Sequence, residues 1–335
     1  MHSCSRLPCR LAGSLHRARV PVGVSRCPGR PGHLASRFVR EAVSGTPVAV
    51  DSDSFEWKYK DNDFTIPVDV VGQGDPVLLL PAISTVSTRG EVSQLVDKLK
   101  DSFQTVTLDW PGFGDATRQP MKYDGDIFYT FLADFVKQRF SGPVRVVACG
   151  HSASFAIKLA AESPDSFSHL SLVAPTWAGP FRIMGVNPTV RGLVASALRA
   201  PVVGTALFNS LSSEDNLVKQ YKSHVFTGDS LLTDDFIATK QKVTSHPNAR
   251  FGASSFVTGN LDVVEEREEL LGWIKNAKAN IQVVIGNEMP KRTAVEMNAM
   301  AEVEGVEVAR APGALGMHEE FGSEVAEAVL PFLMK

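Results

Sequence analysis

The residues of this sequence best suited to chemistry are Gly150-His151-Ser152-Ala153-Ser154, which separate a buried apolar strand from a helix. A small-x-Ser-x-small turn between a strand and a helix is typical of a nucleophile elbow, where both elements approach closely and the serine hydroxyl is exposed. The helix N-terminus behind such a serine also directs N–H groups at an oxyanion. The segment therefore predicts Ser152 as a catalytic nucleophile, and a serine that only caps the helix is the alternative.

Strands and helices alternate around this turn. Apolar strands are predicted at residues 76–80 and 105–108, with a helix at residues 91–100 between them. In a chain of 335 residues with 44% apolar content, this alternation predicts a mainly parallel sheet covered by helices on both faces. Gly72-Gln73-Gly74, just before the first of these strands, predicts a hairpin turn.

Several of these segments resemble the α/β-hydrolase superfamily. Asp109-Trp-Pro-Gly-Phe-Gly114 is similar to the D-x-P-G-x-G loop of that family, and Pro81-Ala82-Ile83 stands where many members carry His-Gly-x. The stretches at residues 81–88 and 175–180 look most like a plastid and cyanobacterial subgroup. The resemblance implies an α/β-hydrolase fold, with a core at residues 53–178 and 263–335 and an inserted helical cap at residues 179–262.

Serine catalysis of ester hydrolysis needs a base, an acid that orients the base, and paired N–H donors for the oxyanion. The family supplies the nucleophile, the acid and the base in that chain order. The resemblance assigns the oxyanion donors to the backbone N–H groups of Ala153, which follows the candidate serine, and Ile83, which follows the strand at residues 76–80.

The acid does not fall at its usual family position. The G-x-x-D pattern would place it at residue 289, which is methionine, and Glu288 is the nearest carboxylate. Residues 174–213 contain no Asp or Glu, so they offer no acid after the preceding strand. Glu288 is therefore the candidate acid, and a solvated loop carboxylate is the alternative.

The base is displaced as well. The family pattern P-G-x-G-H-x-x-H-E-E would place it at residue 316, which is glycine, whereas His318 is followed by Glu319-Glu320 and also matches the second, non-catalytic histidine of the pattern. His318 is the only histidine in the final 89 residues. It is therefore the candidate general base, and a structural histidine at a helix start is the alternative.

The resemblance implies a serine hydrolase that cleaves an ester or thioester of a small, lipophilic molecule through an acyl-enzyme on Ser152. A degenerate relative that binds a ligand or partner in the same cleft is one alternative, and a perhydrolase-like or lyase-like activity without a full triad is another. Dehalogenase and epoxide hydrolase chemistry is disfavoured, because those relatives carry Asp where Ser152 stands. His151 and Asp109 are expected to brace the elbow and a turn, respectively.

The cap begins with a largely apolar segment, residues 186–211, whose only charges are Arg191 and Arg199. Such a lid would shape an apolar pocket and gate entry to it. Core packing between cap and sheet explains the same residues. The candidate lining residues are Phe181, Met184, Phe208 and Phe226.

The first 40 residues contain eight Arg, five Ser, no Lys and no acidic residue. This composition is typical of an organelle transit peptide, so residues 1–45 are predicted to be a leader to the plastid or, alternatively, the mitochondrion. A basic tail that binds nucleic acid or membrane is a further alternative.

The rest of the chain has 26 basic and 37 acidic residues, a formal charge of −11, which disfavours nucleic acid as a partner. No stretch of 18 uncharged apolar residues predicts a membrane span.

Three of the four cysteines lie in the predicted leader, and Cys149 is expected to be a buried core residue. The sequence shows neither clustered His/Cys ligands nor a glycine-rich phosphate loop after a strand. It therefore predicts no disulfide framework, no metal and no organic cofactor. A small-molecule substrate is the predicted partner, and the oligomeric state is left open.

Overall fold

A computed structural model describes residues 51–335, so the predicted leader at residues 1–45 lies outside the described residues. One sheet contains eight strands: β1 (Asp51–Tyr59), β2 (Asn62–Val71), β3 (Pro76–Leu80), β4 (Gln104–Leu108), β5 (Val144–Cys149), β6 (Phe167–Val173), β7 (Asn280–Gly286) and β8 (Glu307–Ala311). Their order is β1-β2-β4-β3-β5-β6-β7-β8. Strand β2 pairs antiparallel with β1 and β4, and all other neighbours are parallel. The predicted α/β-hydrolase fold is confirmed.

Helices connect these strands. They are α1 (Ser93–Leu99), α2 (Gly125–Arg139), α3 (Ser152–Glu162), α4 (Pro180–Ile183), α5 (Pro188–Arg199), α6 (Val203–Leu211), α7 (Glu214–Gln220), α8 (Asp234–Thr244), α9 (Ala249–Thr258), α10 (Arg267–Asn276), α11 (Lys291–Ala301), α12 (Met317–Glu320) and α13 (Gly322–Leu333). A 3-10 helix (Arg89–Val92) precedes α1, and a π-helical turn (Tyr221–Val225) follows α7. Within residues 51–335 no single helix meets the length and apolarity of a membrane span, although α5 and α6 do so as a pair bent by 104°.

The central strands are apolar because helices cover both faces of the sheet. The last four residues of both β3 and β5 are buried, as a parallel sheet between two helical layers requires. Helix α2 begins where the Asp124 side chain accepts a hydrogen bond from the Ile127 N–H, a standard N-cap. Its Phe128 and Phe131 are fully buried, and both lie about 6 Å from the Trp110 ring. These aromatic contacts hold the helix against the sheet.

One predicted turn is wrong. Gly72-Gln73-Gly74 does not form a hairpin, because β4 lies between β2 and β3 in the sheet. Gly72 instead has φ +86°, and a Cβ there would collide with the carbonyl oxygens of Lys100 and Phe103. The glycine is therefore required by a close approach to the chain that leads into β4.

The segment between β6 and β7 begins with the helices α4 to α9, and we call residues 179–262 the cap. It contains an apolar cluster in which Leu198 and Phe208 pack on α9, and a second cluster around Tyr221 and Phe226. Met184, another candidate pocket residue, is instead 63% exposed. The apolar residues of the cap thus pack mainly within the cap, with part of its surface left apolar.

Candidate active site

The candidate elbow follows β5 in the centre of the sheet. Gly150 has φ +55°, in the left-handed region, and α3 begins at Ser152. A Cβ at residue 150 would lie 3.1 Å from the Cβ of Ala82, so glycine permits both the turn and the close approach of the loop after β3. The left-handed residue of this turn is therefore Gly150, two positions before the candidate nucleophile.

The Ser152 side chain is fully buried. Its hydroxyl donates to the Cys149 carbonyl at 2.8 Å, and the Leu80 carbonyl lies 3.4 Å away. The sequence predicts an exposed hydroxyl, and this expectation is not met. The reason is local, because a serine in a helix commonly donates to a carbonyl three or four residues earlier. In this arrangement the Ser152 hydroxyl is directed at the backbone.

The predicted oxyanion donors lie beside the elbow. The Ala153 N–H donates to the Gly150 carbonyl at 3.3 Å, within the turn itself. Ile83 is buried in the loop after β3, next to Ala82. An oxyanion at Ser152 would therefore compete with the Gly150 carbonyl for one of the two predicted N–H donors.

Glu288 lies in the loop after β7, at the carboxyl end of the sheet. Its carboxylate accepts a hydrogen bond from the Gly313 N–H at 2.8 Å, and its own N–H donates to the Gly313 carbonyl at 3.1 Å. These two bonds tie the loop after β7 to the loop after β8. In this conformation Glu288 braces the loop that leads to His318.

His318 lies in α12, after β8, and is buried. Its Nε2 is 3.5 Å from a carboxylate oxygen of Glu91 in the 3-10 helix. Within residues 51–335 the hydrogen bonds and ion pairs do not join His318 to Ser152 or to Glu288. The structure places the three candidates after β5, β7 and β8 but does not connect them, and their catalytic roles stay predictions.

The sequence did not predict the partners of His318. The Lys240 ammonium, on α8 of the cap, lies 2.8 Å from Glu319 and 3.4 Å from Glu91. Lys240 is only 3% exposed. We call Glu91, Lys240, His318 and Glu319 the ionic cluster. It joins α8 of the cap to α12 and to the 3-10 helix that precedes α1.

Three members of the ionic cluster, Glu91, Lys240 and Glu319, have shifted pKa values. Burial would raise the pKa of Glu91, but Lys240 and His318 outweigh it and the pKa is lowered. Burial raises the pKa of Glu319 in spite of the Lys240 charge. The pKa of Lys240 lies well above its ordinary value because the surrounding negative charges outweigh its burial. The cluster therefore holds a charged lysine in the interior.

The position where the family pattern expects the base, residue 316, is filled by the cap. The Gly316 N–H donates to the Val225 carbonyl at 2.8 Å. A Cβ at residue 316 would lie 2.6 Å from the Val225 side chain and 2.9 Å from the Phe226 ring. A histidine has no room there while the cap is in this position.

His151 links the elbow to both ends of the cap. Its ring lies between Phe155 and Phe256, and its Nε2 is 3.3 Å from the Asp262 carboxylate. The same carboxylate accepts from the Gly179 N–H at 3.0 Å and from Arg182 at 2.8 Å. Because Gly179 and Asp262 bound the cap, the bond between them joins the two ends of the cap beside His151, whose ring nitrogens make no hydrogen bond in the described part of the chain.

Two other buried polar groups, the Cys149 thiol and the Asp109 carboxylate, have structural roles. Burial raises the pKa of the Cys149 thiol, which is fully buried as expected. Asp109 accepts hydrogen bonds from the Arg89 N–H at 2.6 Å and the Asp115 N–H at 2.9 Å. This carboxylate therefore stabilises the turn after β4.

A cavity of about 380 Å³ opens between α4 and α11; its lining includes Trp177, Arg182 and Arg292 and none of residues 150–154. Within residues 51–335 no group of three or more His, Cys, Asp or Glu residues is suited to hold a metal ion.

The sequence matches the Alpha/beta hydrolase family over residues 77–328, which is most of the chain. The chain belongs to this family. No curated protein matches the sequence.

Solved structures with the same fold include several hydrolases. A serine hydrolase involved in carbazole degradation is 16% identical, with a TM-score of 0.62, over 84% of this chain and 99% of its own. The enol-lactonase from Burkholderia xenovorans LB400 is 15% identical, with a TM-score of 0.63, over 81% and 97%. A thermophilic esterase from Thermogutta terrifontis is 14% identical, with a TM-score of 0.65, over 85% and 98%. At these identities the similarity concerns the fold.

Proposed function

We propose that this chain hydrolyses an ester or thioester bond of a small, lipophilic molecule, with Ser152 as the nucleophile. Membership of the family supports a hydrolase. The observation that carries the proposal is the position of Ser152, Glu288 and His318, which follow β5, β7 and β8 in one sheet. Because these strands are parallel, their carboxyl ends lie at one edge, which the family uses for its triad.

In the proposed reaction the Ser152 oxygen attacks the carbonyl carbon while a general base takes its proton. The proton then passes to the departing alcohol or thiol, and the acyl group stays on the serine oxygen. Water, deprotonated by the same base, attacks the acyl-enzyme and releases the carboxylic acid together with the free serine.

The described conformation has to change before this chemistry takes place. The Ser152 hydroxyl has to leave the Cys149 carbonyl, and His318 has to leave Glu91. The cap has to withdraw from His318, because Val225 and Phe226 pack against Gly316, two residues before it. We infer that the release of His318 accompanies an opening of the cap, since Lys240 holds the cap on the ionic cluster. In this proposal the described state is the closed state of a gated enzyme.

Hydrolysis of acyl esters of graded chain length tests the proposal. Ser152→Ala and His318→Ala are each expected to lower kcat by several orders of magnitude. Ser154→Ala is the matched control, because Ser154 is also fully buried and donates to a backbone carbonyl, that of His151. Equal activity of Ser152→Ala and Ser154→Ala would refute the assignment.

A second function, binding of a lipophilic ligand without hydrolysis, is favoured by the glycine at residue 316. The side chains of the cap occupy the place of the expected base, and the left-handed residue of the elbow is Gly150. A dansylated fatty acid is the probe. Saturable binding that is equal in the wild type and Ser152→Ala, together with no hydrolysis of any ester, would establish this second function.

A further inference from the structure

The segment around α12 makes three contacts with the middle of the cap. The Gly316 N–H, just before α12, donates to the Val225 carbonyl at 2.8 Å. The Glu319 carboxylate lies 2.8 Å from the Lys240 ammonium. The Glu320 carboxylate accepts hydrogen bonds, at 2.7 and 2.8 Å, from two N–H groups of the cap loop that follows the π-helical turn. We call these three contacts the latch.

The ionic contact of the latch belongs to a cluster whose charges do not balance. Glu91 and Lys240 are buried, and the Glu319 side chain is only 16% exposed. The Lys240 ammonium is shared by the two carboxylates, at 2.8 and 3.4 Å. If both carboxylates are ionised, one negative charge is left over, and an uncompensated charge in the interior is costly. The buried cluster is therefore neutral only when it holds one further proton.

Two groups of the ionic cluster can hold this proton. The His318 imidazole has its Nε2 3.5 Å from the Glu91 carboxylate, and an imidazolium there would balance the second carboxylate. The Glu319 carboxyl is the other acceptor, because burial raises its pKa in spite of the Lys240 charge. Lys240 and His318 instead lower the pKa of Glu91. Either position gives the closed cluster the same number of protons.

The other titratable groups beside the ionic cluster do not change this count. Burial raises the pKa of Tyr221, in the π-helical turn, and that of Cys149, at the end of β5, so both are neutral near pH 7. From α1, the uncharged Gln94 side chain donates to the Glu319 carbonyl at 2.9 Å. In the part of the chain that the structure describes, the ion pairs of the cluster join only its four members.

An opening of the cap would change the number of bound protons. Once water reaches the four side chains, the carboxyl groups take ordinary pKa values near 4 and the imidazole one near 6.5. Above about pH 6.5 the open state therefore loses the extra proton, whereas the closed state keeps it. Because the closed state then binds more protons, a rise in pH favours the open state, by up to about tenfold per pH unit for one proton.

We propose that the ionic cluster is a proton-dependent latch, which holds the cap closed near pH 6.5 and releases it as the pH rises. The inference deepens the proposed function by assigning the regulation of the same site, and its consequence for hydrolysis rests on that function. The latch itself does not, because a proton can bind and the cap can open without any reaction.

Amide hydrogen exchange of the full chain tests the proposal, with mass spectrometry that resolves single residues. The N–H groups of Gly316, Thr227 and Gly228 have their acceptors across the latch. Their protection factors, corrected for the intrinsic exchange rate at each pH, measure the ratio of closed to open states. We expect these protection factors to fall about three- to tenfold per pH unit between about pH 7 and about pH 8.5. Those of the central strand β5 should stay constant, because they report on global unfolding.

Glu319→Gln assigns the proton dependence to the ionic cluster. The variant leaves Glu91 and Lys240 as a balanced pair, so the closed cluster needs no further proton and the protection of the latch should not depend on pH. Glu324→Gln is the matched control, because Glu324 is an exposed glutamate at the start of α13. It should keep the pH dependence of the wild type. Ser152→Ala should keep it as well, because the nucleophile takes no part in the latch.

The proposal is overturned if the protection of the latch is the same across this pH range, or if Glu319→Gln keeps the pH dependence of the wild type. Circular dichroism establishes that each variant is folded. A pH-dependent latch in a protein that hydrolyses no ester at any pH would support this proposal and refute the proposed function, so the two failures are distinguishable.

Discussion

The Lys240→Met variant tests the ionic cluster that fastens the cap. Methionine keeps an unbranched side chain of similar length but removes the ammonium from between Glu319 at 2.8 Å and Glu91 at 3.4 Å. Both carboxylates then remain buried without their main cation. Removal of one partner from a buried ion pair costs about 3–5 kcal/mol. We expect the free energy of unfolding to fall by that amount at neutral pH.

The contribution of the ionic cluster to the free energy of unfolding depends on pH. In the wild type, the raised pKa of Lys240 contributes stability that is fully present below about pH 10 and is lost above it. The lowered pKa of Glu91 contributes stability above its unfolded value near 4.5, lost on acidification. Without Lys240, burial favours the protonated carboxyls. The difference in the free energy of unfolding between the wild type and Lys240→Met should therefore become smaller between pH 7 and about pH 5.

Urea unfolding followed by tryptophan fluorescence measures the effect. Lys242→Met is the matched control, because Lys242 lies two residues further along α8 and is exposed, so its replacement should change the free energy of unfolding by less than about 0.5 kcal/mol. Lys240→Met combined with Glu319→Gln should restore part of the loss. A Lys240→Met variant as stable as the Lys242→Met control would refute the reasoning.

Three further predictions concern the elbow and the cap. Gly150→Ala should cost about 1–2 kcal/mol, measured by urea unfolding, because the residue is left-handed. The Cys149 thiol of the chain at residues 45–335 should react with Ellman's reagent only after unfolding, because burial raises its pKa; rapid reaction of the native protein would contradict its burial. Gly316→Ala should cost about 1–3 kcal/mol, because its Cβ meets Val225 at 2.6 Å. Gly272→Ala, with open space around the new Cβ, is the helical control and should not destabilise.

The sequence predicts the parts of the fold that depend on local pattern. The strands β3 and β4 agree with their predicted bounds to within one residue. In both strands a continuous apolar run between turn residues defines where the strand begins and ends. The predicted helix at residues 91–100 divides into a 3-10 helix and α1. The hairpin at Gly72 fails because strand order is a non-local property.

The candidate site is harder to predict, because its contacts join distant parts of the chain. Glu91 and Lys240 are 149 residues apart in sequence, and a sequence contains no direct sign of such a pair. One signal was available, since Lys240 recurs with Ile237 and Val243 on the buried side of α8. A lysine on the buried side of a helix indicates a buried charge that needs a partner. The direction of the Ser152 hydroxyl, in contrast, depends on where α3 begins.

The most direct test of Ser152 as a gated nucleophile is its rate of labelling by a fluorophosphonate in the folded protein. We expect slow labelling of the wild type, faster labelling of Lys240→Met because its cap opens more often, and no labelling of Ser152→Ala. Mass spectrometry of the labelled peptide should place the adduct on Ser152. If neither the folded wild type nor Lys240→Met is labelled, or if labelling persists in Ser152→Ala, Ser152 is not a gated nucleophile.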